Sequence, residues 1–161
     1  MQSSSVPSDL WDPDSTDGVL EPLTPDKVSG AEQLLGVKLP SALIELLSRQ
    51  NGGKVAAPYR ACPTDGPTSW APDHVPFESC NGIGEGFRSL TESPYLNEEW
   101  GQPREFVLLV GDGHWWVALD YRDRTEPSVV WFDNEVGQDI TLAPTFPDFL
   151  DKLAPTPPVG A

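Results

Sequence analysis

Proline stands at 18 of the 161 positions, about twice the usual ~5% share, and no other feature narrows the possible folds as much. Each proline sets φ and removes a backbone donor, so it is kept out of helix interiors and out of the middle of a sheet. Five of them, Pro58, Pro63, Pro67, Pro72 and Pro76, fall within residues 54–77. That stretch is expected to form short edge strands and an elaborate loop. Long helices are not expected to dominate, and a chain of this length makes one domain. Six Trp and six Phe compensate for an apolar share of only 38% by supplying large buried area.

Where proline is used differently, it marks helix starts. Thr24-Pro25-Asp26 combines a capping hydroxyl, a first-turn proline and an acid at the positive end of the helix dipole. Val28, Ala31, Leu34 and Leu35 then recur at helical spacing, and Gly36 supplies the left-handed stop. A second helix begins at Pro40, carries Leu43, Ile44, Leu46 and Leu47 on one stripe, and ends at Asn51-Gly52-Gly53. Between residues 83 and 100 the pattern is mixed: Ser93-Pro94 interrupts it, and residues 96–100 suit a helical turn.

After Pro103 the period changes to two. Strands are predicted at 106–110, 114–121 and 128–132, joined by Gly111-Asp112-Gly113 and by a polar turn, as an antiparallel meander. A loop over 134–139, a short strand at 140–142 and a helix from Thr145 with Phe146, Phe149, Leu150 and Leu153 complete the domain. The expected architecture is α+β: two N-terminal helices, an antiparallel sheet of about five or six strands, and a C-terminal helix packed on the sheet. Residues 1–22 read as an acidic, largely flexible arm with Trp11 docked on the body, 23–153 as the domain, and 154–161 as a proline-rich tail without order.

This ordered set of signals resembles the SUKH superfamily, the immunity proteins related to fungal Smi- and Knr-type cell-wall regulators. The residues that carry the resemblance are Ala31-Glu32-Gln33-Leu34-Leu35-Gly36, Leu39-Pro40, the Asn51-Gly52-Gly53 stop, the strand and Gly-Asp-Gly turn after Phe106, and Thr145-Phe146-Pro147-Asp148-Phe149-Leu150. The resemblance spans residues 23–153. It implies an α+β domain without catalysis that acts as an antidote to a polymorphic toxin, often a nuclease. Fungal relatives act instead as regulatory binding proteins, which keeps a regulatory or scaffold module as the alternative.

The chain has 25 Asp and Glu against 10 Lys and Arg, a net charge of −15. Such a surface repels phosphate backbones and anionic headgroups, so the expected partner is a basic protein, with no direct nucleic acid and no membrane. Acidity that serves solubility alone is the plainer reading. Residues 1–17 lack the basic start and apolar run of a signal peptide, and no run of apolar residues reaches membrane length. A soluble, cytoplasmic protein is expected, with Cys62 and Cys80 as free thiols.

Catalytic patterns do not assemble. Cys62, His74 and Cys80 match no common zinc spacing, and His114 has no nucleophile nearby in sequence. Carboxylate pairs such as Glu98 with Glu99 are what 25 acids produce by chance. Asn81-Gly82-Ile83-Gly84-Glu85-Gly86 lacks the lysine of a phosphate loop. Neither enzyme activity nor a cofactor or metal is therefore expected.

Binding chemistry is better supported. Alternation places Trp115, Val117, Leu119 and Tyr121 on one side and His114, Trp116, Ala118 and Asp120 on the other. It also separates Val130 and Phe132 from Val129, Trp131 and Asp133. If the strands pair with Val130 and Phe132 beside the first set, Trp116 and Trp131 gather with Asp120 and Asp133 on the opposite face. Together with the turn acids Asp112 and Glu135, these form the expected partner-binding residues. The competing reading is a second buried layer, with the tryptophans covered by the proline-rich segment. Residues 105–139 hold eight acids and two bases, a net of 2 − 8 = −6, so the meander is the most acidic ordered part.

Overall fold

In the computed structural model, which describes residues 6–85 and 88–157, the Thr24 hydroxyl accepts the Lys27 N–H at 3.2 Å and starts helix α1 (Pro25–Leu35). Gly36, at φ 74°, closes it by donating its N–H to the Glu32 carbonyl. Helix α2 (Ser41–Arg49) buries Ala42, Leu43, Leu46 and Leu47. The chain then reverses through Gly52 and Gly53, both at positive φ.

The proline-rich region forms only short pieces. Strands β1 (Gly53–Lys54), β2 (Ala61–Pro63), β3 (His74–Pro76) and β4 (Ser79–Cys80) make two antiparallel pairs, β1 with β4 and β2 with β3. Helix α3 (Ser93–Trp100) follows a 3-10 turn. Ser93-Pro94 begins this helix and does not interrupt it, because proline in the first turn has no intrahelical donor to lose.

Strands β5 (Phe106–Gly111), β6 (Trp115–Asp120), β7 (Ser128–Asp133) and β8 (Gln138–Ala143) form one antiparallel meander in sequence order. The main sheet thus has four strands, with the remaining strand residues in the two small pairs, and β8 starts earlier than the sequence pattern suggests. Helix α4 (Phe146–Lys152) closes the domain, capped by the Thr145 hydroxyl, which accepts the Asp148 N–H at 3.2 Å. The fold is α+β.

Both faces of the sheet are covered. One face carries Val117, Leu119, Val129 and Trp131 into the main core with Leu43, Leu46 and Leu47 of α2, Phe77, and Phe146 and Phe149 of α4. The other carries Phe106, Leu108, Trp116, Ala118 and Val130 into a smaller cluster with Leu96 of α3 and Phe132.

The described part of the N-terminal arm, read from the sequence as largely flexible, is tied to the body. Leu10 is fully buried, and Trp11 Nε1 donates to the Leu46 carbonyl at 3.2 Å. Asp12 N donates to the Lys54 carbonyl, Ala56 N to that of Leu10, and Arg60 pairs with Asp12 at 3.1 Å. Local composition marks this segment as polar, but Val6, Leu10 and Trp11 find apolar partners far along the chain. At the other end, Ala154 pairs with Ala61 through two backbone hydrogen bonds. Residues 1–5, Gly86 of the Asn81-to-Gly86 run and residues 158–161 of the tail lie outside the described residues.

Candidate functional site

The β6–β7 register decides what shares a face. Trp115 stands opposite Asp133, Trp116 opposite Phe132, Val117 opposite Trp131, and Asp120 opposite Ser128. Residues opposite each other in an antiparallel pair point to the same side. Trp131 and Asp133 therefore lie on the face of Trp115 and Val117, while Trp116 and Asp120 lie on the other with Val130 and Phe132. This corrects the expected grouping of Trp116, Asp120, Trp131 and Asp133 on one face: the pairing is offset by one residue from the one assumed, and a one-residue offset exchanges the faces.

Each of these four side chains has an internal partner or setting. Trp131 is fully buried, stacks on Trp115 with centroids 4.9 Å apart, and donates from Nε1 to Ser69 Oγ and Gln138 Oε1, both at 3.2 Å. The covering of a tryptophan by the proline-rich segment is thus realised at Trp131. Asp133 accepts the Ser69 hydroxyl at 2.6 Å and the N–H groups of Glu135 and Val136 at 2.8 and 3.2 Å. Burial alone would push its pKa up, but the bonds from Ser69, Val136 and Glu135 outweigh it and hold the carboxyl below its ordinary value. Asp120 takes a two-pronged bond from Arg122, which also reaches Asp139 at 3.0 Å and lies over the Phe106 ring. Trp116 sits in the α3-side cluster.

Asp112 and Glu135 do come to the surface together, at the end of the sheet where two turns meet. Asp112 Oδ1 accepts the N–H groups of His114 and Trp115 at 2.9 and 3.3 Å, fixing the turn between β5 and β6. Asn134 binds this turn to the one between β7 and β8: its N–H donates to the His114 carbonyl at 2.7 Å and its Nδ2 to that of Gly113 at 3.2 Å. Glu135 Oε2 lies 3.3 Å from His114 Nδ1.

Residues that sequence reasoning passed over frame this end. Trp70, 49% exposed, packs edge-on against Trp115 from the proline-rich loop. Trp100, 42% exposed at the end of α3, packs edge-on against His114. Val136 is 66% exposed at the tip of the neighbouring turn. The one available signal was chemical: tryptophans in a loop and at a helix end, away from any apolar stripe. The resulting surface combines exposed apolar area with the carboxylates of Asp112 and Glu135.

A family model for SMI1/KNR4 (SUKH-1) matches residues 22–152. The chain belongs to the SMI1/KNR4 family. No curated protein matches it. In this SUKH-1 domain the matched span runs from the entry to α1 to the end of α4, so both turns of the exposed end fall inside it. Binding to other proteins is the activity associated with the SUKH family.

Cys62, His74 and Cys80 are the other reactive side chains that the sequence singles out. Cys62 and Cys80 are unpaired and buried, and burial pushes their thiols up to about 11 and about 12, so both are protonated at neutral pH. His74 Nδ1 lies 2.8 Å from Asp73 Oδ1. Among the described residues no group of three or more His, Cys, Asp or Glu side chains is arranged to hold a metal ion. None of the described helices is long and apolar enough to cross a membrane.

Proposed function

We propose that this chain is a non-catalytic immunity protein that binds and neutralises a cognate polymorphic toxin, a basic nuclease-type domain, by stoichiometric contact in the cytoplasm. The observation that carries this reading is the end of the sheet, where Trp70, Trp100 and Val136 are exposed beside Asp112 and Glu135 on a chain of net charge −15. Aromatic anchors supply most of the affinity of such contacts, while carboxylates steer a basic partner and set its orientation. A nuclease groove is basic because it must hold phosphates, and these carboxylates take the place of phosphates there. The contact surface is therefore centred on Asp112 and Glu135. Asp120, Trp131 and Asp133 hold the fold behind it.

Co-expression with a toxin domain encoded beside the gene tests the reading. Growth should be restored by the parent chain, and the purified pair should run as a one-to-one complex. Trp70→Ala combined with Trp100→Ala should lose roughly 2 kcal/mol or more of binding, about 30-fold in Kd, with an unchanged circular dichroism spectrum. Failure to protect against any neighbouring toxin domain sinks the proposal.

A further inference from the structure

On the α3 side of this same end, a cleft of about 540 Å³ opens between α3 and the turn that follows β5. Tyr95 and Trp100 of α3 and Trp116 of β6 line it, together with the carboxylates of Glu92 and Asp112. Arg88 also lines it, and its guanidinium pairs with Asp17 at 3.0 Å. Among the described residues, Tyr95 is one of the most exposed large apolar side chains.

Trp116 is the unusual member. It is 6% exposed, yet its Nε1 is buried and has no hydrogen-bond partner among the described residues, whereas the indole N–H groups of Trp11 and Trp131 both have one. Native proteins leave few buried donors unmet, and those that remain call for a reason. The backbone makes room for these rings: a Cβ on Gly111 would overlap the Trp116 ring, and one on Gly113 would lie 2.7 Å from Trp100 Cζ2. Both carboxylates are open to a cation. The two side-chain bonds of Asp112 fall on Oδ1, and the Glu92 side chain makes none among the described residues.

We propose that this cleft receives an arginine side chain of the toxin, its guanidinium held by the aromatic walls and the carboxylates of Glu92 and Asp112, while a carbonyl of the same segment accepts the Trp116 Nε1–H. Arginine fits better than lysine because its planar, weakly hydrated head stacks on aromatic rings and forks onto carboxylates. Nε1 is closed to water in the free chain, so the acceptor reaches it as the cleft wall yields, and the indole reports that event. The inference rests on the immunity reading for the source of the arginine, but the probe titration that tests the cleft does not.

The full chain, labelled with nitrogen-15, is titrated with N-acetyl-arginine methylamide and, separately, with N-acetyl-norleucine methylamide. The arginine probe should move the Trp116 and Trp100 indole N–H resonances in a saturable way, and the norleucine probe should bind about tenfold more weakly or less. Glu92→Gln should weaken the arginine probe by about fivefold, and combining it with Asp112→Asn, which keeps the oxygen that fixes the turn, should weaken it further. The resonance lost in Trp116→Phe assigns the first indole, and Trp100→Phe, an exposed substitution, assigns the second if that variant does not fold. Indoles that stay still with the arginine probe, or equal binding of the norleucine probe, overturn the proposal. A toxin bound undiminished by the Glu92→Gln, Asp112→Asn chain overturns the cleft and leaves the immunity reading standing. Absence of any toxin overturns only the latter.

Discussion

Asp133 and Asp120 are both buried carboxylates at strand ends, yet they are stabilised by different means. A guanidinium neutralises Asp120, whereas Asp133 keeps its charge through the Ser69 hydroxyl and two turn N–H groups. Because the folded pKa of Asp133 lies below its unfolded value, its contribution to stability is fully present above about pH 4 and is lost as pH falls through the folded value. Asp133→Asn should therefore cost about 1–2 kcal/mol at pH 7, the difference between charge-assisted and neutral hydrogen bonds, and the gap to the parent should narrow in acid. Urea midpoints at pH 7 and pH 3 measure this. A gap that does not change with pH would show that the charge of Asp133 is irrelevant to the loop it holds.

Among the secondary elements, Asn51 joins three. It follows α2, its Nδ2 donates to the carbonyls of Glu21 and Ile83 at 2.7 Å each, and its Oδ1 accepts the Ile83 N–H at 2.8 Å. The arm, the end of α2 and the segment after β4 are held by one buried amide. Gly82 sits so close that a Cβ there would collide with the Asn51 carbonyl and amide. Asn51→Ala should leave buried backbone groups without partners and cost about 3 kcal/mol or more, read from the shift in the urea midpoint at constant slope. The same variant should expose the arm to proteolysis, since it removes the bond from Nδ2 to the Glu21 carbonyl that ties the arm to the end of α2.

For the domain taken with the proposed toxin, charge should govern encounter and the exposed aromatics should govern residence. A net charge of −15 should speed association with a basic toxin at low salt. Raising ionic strength from about 0.02 to 0.5 M should slow association by roughly 10- to 100-fold and change dissociation little, since screening acts on the approach of exposed charges. Stopped-flow tryptophan fluorescence reads both rates. The combined Asp112→Asn and Glu135→Gln substitutions should flatten the salt dependence; an association rate indifferent to salt would remove electrostatic steering from the mechanism.

Although the start of α3 at Ser93-Pro94 was not legible from the chain, the boundaries of α1 and the start of α4 were, because their chemistry is local: a hydroxyl, a first-turn proline and a glycine act within four residues, as at Thr24, Pro25, Gly36 and Thr145. The faces of β6 and β7 were not. Both strands carry large apolar side chains on both sides, so alternation offered two acceptable pairings, and a sheet covered on both faces leaves no polar side to choose between them. Tryptophans 70 and 100 became neighbours of one surface only when the proline-rich loop and α3 packed against opposite sides of β6. Fold class and element order thus follow from short-range stereochemistry and hydrophobic period. The composition of the exposed end depends on contacts between distant segments, which no local pattern encodes.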